Sequence, residues 1–254
     1  MHARLGSGDR ARLAAFQDAR KDPTRVVLEG LHALKHAVRF GAHIEDALCD
    51  DRARLARLAD EVAPDLAPAL AAVVDVVPRA LLDALSGAGD DVRVIAIARR
   101  PAYDLARLGD GPVVLLEQPA HPGNVGAVIR IAAAAGCAAV IVLGAMDLWQ
   151  RGVVRGAAGL HFALPVVRVD RLPALPRPLL GLDPEGAPLG REPLPSHALI
   201  AFGNERHGLS PALKAQATAL IALPMRQGVS SLNLAASVAA TLYAGGLVQS
   251  ATRA

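Results

Sequence analysis

Three short segments in the second half of the chain place polar residues beside glycines or prolines. Residues 121–136 read HPGNVGAVIRIAAAAG, residues 200–210 read IAFGNERHGLS, and residues 223–244 read LPMRQGVSSLNLAASVAATLYA. Glycine lets a ligand or another backbone approach closely, and a helix N-terminus leaves backbone N–H groups free to hold a ligand. Each segment is therefore a candidate binding loop, although each taken alone is also typical of an ordinary turn or a capped helix.

The first segment predicts a helix over residues 125–135 that Asn124 caps. Its expected core face has helical spacing and comprises Val128, Ile131, Ala132 and Ala135. Arg130 lies off that face between Ala127 and Ala134, so its guanidinium is free to reach an anion or is simply a solvent-exposed helix arginine. The third segment predicts a helix over about residues 231–248 with Ser230 or Ser231 as its cap.

Apolar runs and helical periods alternate along the whole chain. In the first half we expect strands at 26–28, 44–49, 73–77 and 92–98, and helices from Leu31 and over 51–62 and 79–85. In the second half we expect strands at 113–116, 139–143, 199–202 and 219–223, with a proline-rich stretch from Pro165 to Pro178. This alternation predicts an α/β fold with two domains, residues 1–105 and 106–254, joined by a linker around 99–111.

The composition sets broad limits on function. The chain has 254 residues, of which 52% are hydrophobic and only 3% aromatic, so Ala, Leu and Val must form the cores. No apolar run approaches the roughly 18 residues that span a bilayer, and residues 1–10 lack the apolar stretch of a signal peptide, so we expect a cytoplasmic protein without a membrane span. The net charge is +3, and residues 1–40 hold eight Lys or Arg against four Asp or Glu, which predicts a basic edge on the first domain or a solvated face.

Two other site classes fit the sequence poorly. A dinucleotide site would need G-x-G-x-x-G, whereas Gly123 and Gly126 are spaced G-x-x-G. His32 and His36 have the helical spacing of a zinc pair, but no third ligand is evident, so we expect no metal site.

Taken together and in order, the three segments resemble the SpoU (TrmH) class of AdoMet-dependent RNA ribose methyltransferases, within the SPOUT superfamily. The first motif of that class, N-x-G-x-x-x-R-x-A, is matched by 124–132. The second, G-N/S-E followed by G-L-S, is matched by 203–205 and 208–210, and the third by Leu223-Pro224-Met225 through Ser230-Ser231-Leu232-Asn233. Arg206 stands where glycine is common after the Glu, and His121 where the first motif often has Asp.

The resemblance implies a fold, a cofactor and partners. It implies a trefoil-knotted α/β methyltransferase domain over 106–254, preceded by a small α/β domain over 1–105 that binds the RNA substrate. It also implies S-adenosyl-L-methionine (AdoMet) as cofactor and a homodimer. The AdoMet contacts carried over by position are Gly203, Leu223, Met225 and Leu232.

The implied reaction is methylation of a ribose 2′-hydroxyl. The catalytic positions carried over are Arg130, Asn124, Glu205, Ser231 and Asn233. The resemblance offers Arg130 as the base, but a guanidinium is a poor base at neutral pH, and stabilising the developing oxyanion suits it as well. Ribosomal RNA is the expected substrate; the alternatives are methylation of tRNA and a non-catalytic RNA-binding relative with the same fold.

Overall fold

The computed structural model of the chain describes residues 6–86, 93–190, 194–229 and 231–248. Its contacts divide the chain into two compact units, Met1–Ala102 with Ala158–Ala163, and Tyr103–Ala157 with Leu164–Ala254. The first boundary lies between Ala102 and Tyr103, and the short segment Ala158–Ala163 groups with the first unit, which sequence patterns do not reveal. Within the described ranges, no helix combines the length and apolar character that a membrane crossing requires.

The first unit is a four-stranded sheet with helices. Its elements are α1 (Ser7–Ala19), β1 (Arg25–Glu29), α2 (Leu31–Arg39), β2 (Ile44–Cys49), α3 (Arg52–Val62), α4 (Ala67–Val73), β3 (Asp75–Val76), α5 (Arg79–Ser86) and β4 (Val94–Arg99). The strand order is β1-β4-β2-β3, with β4 antiparallel to both neighbours and β2 parallel to β3. Buried residues of α1 and α5, including Phe16, Leu81 and Leu82, pack against Leu48, Ile95 and Ile97 of the sheet.

The four strands expected in the first unit are present, although β3 is only two residues long, and Val92 lies outside the described residues. Sequence patterns missed α1 and α4. Many of the cations on the expected basic edge have acidic partners within this unit: Arg20 pairs with Glu29 at 3.0 Å and Arg39 with Asp65 at 2.9 Å. Arg12 also pairs with Asp75, and Arg25 with Asp22. The edge is therefore less basic than the residue count predicts.

The second unit is a six-stranded parallel sheet, which confirms the α/β class. Its elements are β5 (Val113–Glu117), α6 (Pro122–Ala134), β6 (Ala139–Leu143), α7 (Arg151–Gly156), β7 (Val166–Val169), β8 (Leu179–Pro188), β9 (Leu199–Phe202), α8 (Pro211–Gln216), β10 (Ala219–Ala222) and α9 (Leu234–Ala244). The strand order is β10-β8-β9-β5-β6-β7, and every neighbouring pair is parallel. The central β5 is buried along its whole length, as its continuous apolar run predicts.

The order in which the chain adds strands to this sheet changes sides at β5. It runs outward from β5 through β6 to β7, then crosses to the other side, where β9 lies beside β5. In open α/β sheets, ligands bind outside the carboxyl ends of the strands at such a switch point. The segment that follows β5, residues 118–121, leads into α6, which carries the first motif, and the segment that follows β9, residues 203–210, holds the second motif.

Sequence patterns missed two strands of this sheet: β7, which lies within the proline-rich stretch, and β8, which follows it. The ladder between β8 and β10 shifts register: Leu220 is opposite Gly181, but Ile221 is opposite Ala187. Residues 182–186 consequently bulge out of the ladder, directly after the paired residues Leu180 and Gly181. A strand interrupted in this way has no continuous alternation for sequence analysis to detect.

Two predicted helix starts are wrong. Helix α6 begins at Pro122 with His121 as N-cap, because proline suits the first turn, so Asn124 lies inside the helix and does not cap it. Helix α9 begins at Leu234 and is capped by Asn233, whose Oδ1 accepts from the N–H groups of Ala235 at 2.9 Å and Ala236 at 3.4 Å. Ser231 is therefore not the cap, and Ser230 lies outside the described residues.

The core face of α6 is shifted by a small rotation from the predicted one. Ile129 is fully buried, whereas Ile131 is only partly buried; Val128, Ala132 and Ala135 are buried as expected. Arg130 is exposed, as predicted. Gly126 faces α7: a Cβ on it would lie 2.5 Å from the carbonyl oxygen of Val153 and 2.7 Å from Cα of Gly156. The first-motif glycine is thus required by helix packing.

Replacing Gly126 with alanine should destabilise the protein because its methyl group would overlap backbone atoms that cannot rotate away. We expect a loss of about 1–3 kcal/mol in the free energy of unfolding, measured by urea denaturation. Gly123→Ala is the matched control on the same helix, since its Cβ would meet nothing within 4 Å. The control should be neutral or slightly stabilising; equal losses in the two variants would contradict the packing argument.

Candidate active site

The carboxylate of Glu205 joins the segment after β9 to the segment after β5. Its Oε2 accepts from the backbone N–H of Ala120 at 2.8 Å, and its Oε1 accepts from Nδ2 of Asn124 at 2.9 Å and from the N–H of His121 at 3.4 Å. Partial burial alone would raise the pKa of Glu205, but these hydrogen bonds outweigh it and hold the pKa below its ordinary value of 4.5. Glu205 is therefore ionised at neutral pH and its lone pairs are largely engaged.

Asn124 extends this contact to the third motif. While its Nδ2 donates to Glu205, its Oδ1 accepts from Nδ2 of Asn233 at 3.0 Å. Asn233 is at the same time the N-cap of α9. One continuous set of side-chain hydrogen bonds thus links the three segments that the sequence singles out, at 124, 205 and 233.

A tight hairpin holds Glu205 in place. Asn204 and Gly208 exchange backbone hydrogen bonds of 3.0 and 2.9 Å, and Gly208 has a φ of +67°. A Cβ on Gly203 would lie 2.0 Å from the carbonyl carbon of Gly208, so only glycine fits there. Beyond the hairpin, Ser210 donates from N and Oγ to the buried Glu117 at 2.7 and 2.6 Å, which fixes the far end of the second motif to β5.

The backbone at Gln118 is strained, with a φ of +45°. Its N–H donates to the carbonyl of Leu143 at 2.8 Å, and its own carbonyl accepts from Nδ2 of Asn204 at 2.6 Å. A left-handed conformation of a non-glycine residue persists where surrounding contacts enforce it, and such residues concentrate at functional sites. Here the strain turns the chain sharply from β5 toward Glu205.

A cavity of about 490 Å³ opens beside this network, within the usual size range for small-molecule sites of roughly 300–1,000 Å³. Its wall includes every predicted cofactor position, Gly203, Leu223, Met225 and Leu232, together with Glu205 and Ser231. Apolar side chains such as Phe202 and Leu234 supply a surface for a flat ring, and polar groups lie on the 203–208 hairpin, on the bulge of β8, on α8 and at the start of the third motif's helix.

The remaining predicted catalytic residues lie outside this wall. Asn124 and Asn233 reach it through Glu205. Arg130 is on the exposed face of α6, six residues or about 9 Å of helix beyond Asn124, and is not one of the described residues that line the cavity.

The described residues contain no group of three or more His, Cys, Asp or Glu side chains that could hold a metal ion. His36, the second histidine of the candidate zinc pair, donates from Nδ1 to the carbonyl of Ala158 at 2.7 Å. Gly126, the second glycine of the G-x-x-G pair, packs against α7, so its lack of a side chain serves helix packing.

Residues 111–243 match the model of the SpoU rRNA Methylase family. The chain belongs to this family. It is 30% identical over 231 residues to a 23S rRNA (uridine(2479)-2′-O)-methyltransferase of Streptomyces viridochromogenes, covering 84% of this chain and 79% of the relative. It is 27% identical to the 23S rRNA (guanosine(2553)-2′-O)-methyltransferase RlmP of Bacillus subtilis (strain 168), covering 85% and 86%.

A solved SpoU structure resembles the whole chain. The SpoU methyltransferase AviRb from Streptomyces viridochromogenes, crystallised in complex with AdoMet, superposes with a TM-score of 0.74 at 28% identity and covers 92% of this chain and 97% of its own. The resemblance noted in the sequence is thereby confirmed at the level of family and fold.

Sequence analysis of this SpoU family member missed the part of the cavity wall that β8 and α8 supply. Asp183 is 4% exposed, and its Oδ2 pairs with Nζ of Lys214 at 2.5 Å. Burial alone would raise the pKa of Asp183, but Lys214 and the N–H of Glu185 lower it. The available signal was the apolar run Leu179-Leu180-Gly181-Leu182 ahead of a turn-like Asp-Pro-Glu-Gly, which is typical of a short buried strand.

Replacing Glu205 with glutamine should destabilise the protein. The glutamine amide has an NH₂ group in place of one carboxylate oxygen, and this group would face N–H donors that now bind the carboxylate. At pH 7 we expect a loss of roughly 1–3 kcal/mol in the free energy of unfolding. A lowered pKa in the folded state means that the carboxylate stabilises the fold above its ordinary value of 4.5 and loses this effect as the pH falls through the folded value. The difference from wild type should therefore shrink between pH 7 and pH 3.

Glu185→Gln is the matched control for this measurement, since Glu185 is an exposed acid in the same cavity wall. Its effect should stay within about 0.5 kcal/mol. A Glu205→Gln protein whose stability difference does not change with pH would refute the stabilising role of the ionised Glu205 carboxylate.

Proposed function

We propose that this protein is an AdoMet-dependent RNA 2′-O-ribose methyltransferase that acts on ribosomal RNA. The observation that carries the proposal is the convergence of all three motifs, through Asn124, Glu205 and Asn233, beside one cavity at the switch point of the sheet. The relatives described above are named for 2′-O-methylation of 23S rRNA. These names favour rRNA over the tRNA alternative.

The cavity suits AdoMet in size and in chemistry. Leu223, Met225 and Leu232 offer apolar contact to the adenine, and Gly203 lines the wall where the hairpin folds back on itself. When bound, AdoMet supplies a methyl group on a sulfonium, whose neutral thioether leaving group requires no metal or general acid. The protein therefore has to bind the cofactor, align the ribose oxygen with the methyl carbon, and deal with the proton of the hydroxyl.

The polar residues have separate tasks in this proposal. Glu205 is ionised and saturated with donors, so it positions the loop after β5 and does not abstract the proton. Asn124 and Asn233 hold the motifs in register, and Ser231, exposed in the cavity wall, is placed to orient the ribose or the cofactor. Arg130 acts on the 2′-oxygen, either as base or by stabilising the oxyanion. Because Arg130 does not line the cavity, this role requires either RNA binding or a second copy of the chain to bring an Arg130 side chain to the cavity.

The wider organisation is part of the same proposal. The first domain, taken as residues 1–105, recruits RNA, while residues 106–254 form the trefoil-knotted catalytic domain and work as a homodimer in the cytoplasm. Helix α9 supports dimerisation with Ala236, Ala240 and Tyr243 on one face, the tyrosine being 55% exposed. Leu242 of the same helix is fully buried within the chain and belongs to the core.

The purified protein should transfer a methyl group from labelled AdoMet to unmodified 23S rRNA transcribed in vitro. Because a methylated 2′-oxygen cannot attack the neighbouring phosphate, the product should resist alkaline cleavage at the modified nucleotide. Label in the transcript with unchanged alkaline cleavage would place the methyl on a base and refute the reaction. Label in a tRNA pool but not in 23S rRNA would refute the substrate.

Arg130→Ala should slow the chemical step without weakening AdoMet binding. Its side chain is exposed, so no buried cavity forms, and we expect single-turnover methylation to fall by about 100-fold or more. Arg130→Lys should restore little if the planar fork is needed. Arg107→Ala, an exposed arginine before β5 at the opposite end of the strand from the site, should retain wild-type turnover. A folded Arg130→Ala protein with wild-type turnover would remove Arg130 from the mechanism.

A further inference from the structure

The hairpin that positions Glu205 carries two cationic or ionisable residues at its tip. Asn204 and Gly208 are paired by backbone hydrogen bonds, so Arg206 and His207 lie at the turn between them. The N–H of Arg206 donates to Oδ1 of Asn204 at 2.9 Å, which fixes the backbone at the tip. A hydrogen-bonded turn thus presents the side chains of Arg206 and His207, which directly follow Glu205 in the chain.

Both residues are exposed, yet both line the cavity. They therefore lie at its mouth. No side-chain hydrogen bond or ion pair joins Arg206 or His207 to another residue of the described chain. Of the other charged residues in the wall, Lys214 pairs with Asp183 at 2.5 Å and Glu205 accepts from three donors, whereas Glu185 is an exposed acid whose charge acts on Lys214. Arg206 is the cation at this mouth with a guanidinium left to bind an anion.

An RNA substrate brings anions to this position. A 2′-hydroxyl that enters the cavity is covalently flanked by a phosphate on each side of its nucleotide, so at least one phosphate must pass the mouth. An arginine fork matches a phosphate with two parallel hydrogen bonds, and an imidazole N–H can add a third. Resting on the proposed function, we propose that Arg206, together with His207, binds a backbone phosphate beside the methylated ribose and so positions the target nucleotide.

Arg206 differs from several arginines of the first unit in having no carboxylate partner among the described residues. Arg12, Arg20, Arg25 and Arg39 have carboxylate partners there, so each would have to give up an ion pair to contact RNA. Arg206 gives up none within the described chain. It also lines the cavity beside which the proposed reaction occurs, so its contact would bear on which nucleotide enters and not only on overall affinity.

The test compares Arg206→Ala, Arg206→Lys and the Arg206→Ala/His207→Ala double variant with Arg107→Ala as control. The probe is unmodified 23S rRNA, with affinity measured over a series of salt concentrations. Loss of one phosphate contact should weaken RNA binding by about 10-fold at low salt. It should also reduce the slope of log affinity against log salt by about 0.7–0.9. The lysine variant should keep the slope because it keeps the charge, and the double variant should bind more weakly than Arg206→Ala.

AdoMet affinity, measured by calorimetry on the same proteins, separates the phosphate from the cofactor's own carboxylate. It should be unchanged in all variants. An Arg206→Ala protein that binds RNA with the salt slope of Arg107→Ala would overturn the proposal, and so would one that loses AdoMet affinity but keeps RNA affinity. The binding measurement does not depend on turnover, so a wild-type protein that binds RNA but methylates nothing would count against the proposed function alone.

Discussion

The carboxylate of Glu205 lies between two loops that leave the same edge of a parallel sheet, and it accepts hydrogen bonds from both the backbone and a side chain of the other loop. The arrangement works because backbone N–H groups at the start of α6 have no partner within the helix and favour a negative charge. One ionised side chain thereby fixes the turn after β5, the start of α6 and, through Asn124, the cap of α9. This contact therefore helps to set the shape of the cavity, whose wall includes Glu205.

Close backbone packing makes that contact possible. Gly203 lets the 203–208 hairpin fold back on itself, and Gly126 lets α7 approach α6 at backbone distance. A side chain at either position would displace the segment that carries Glu205 or Asn124. The strained Gln118 belongs to the same system, since the side chain of Asn204 holds its carbonyl. These glycines and the Gln118 conformation serve the geometry of the site rather than a ligand directly.

The charges of the molecule are arranged unevenly. The first unit holds a large share of the arginines, but ion pairs such as Arg20–Glu29 and Arg39–Asp65 reduce the positive field they could offer to RNA. The cavity wall follows the same rule, with Lys214 held by the buried Asp183. A net charge of +3 is therefore a poor guide to where a polyanion binds. Better guides are Arg130 and Arg206, two exposed cations that have no acidic partner among the described residues and lie on α6 and at the cavity mouth.

The sequence by itself determined the family, the α/β class, the continuous apolar strands and the three segments that form the site, because these depend on local periodicity and motif order. It could not determine which polar atoms meet: Asn124 was expected to cap α6 and Ser230 or Ser231 to cap α9, whereas Asn124 bridges Glu205 and Asn233, and Asn233 is the cap. It also missed β8, whose bulge at 182–186 interrupts the alternation and places Asp183 in the cavity wall. Asn124 meets Glu205 and Asn233 only in the tertiary structure, because these partners lie 81 and 109 positions away along the chain. The bulge of β8 likewise arises from its pairing with β10.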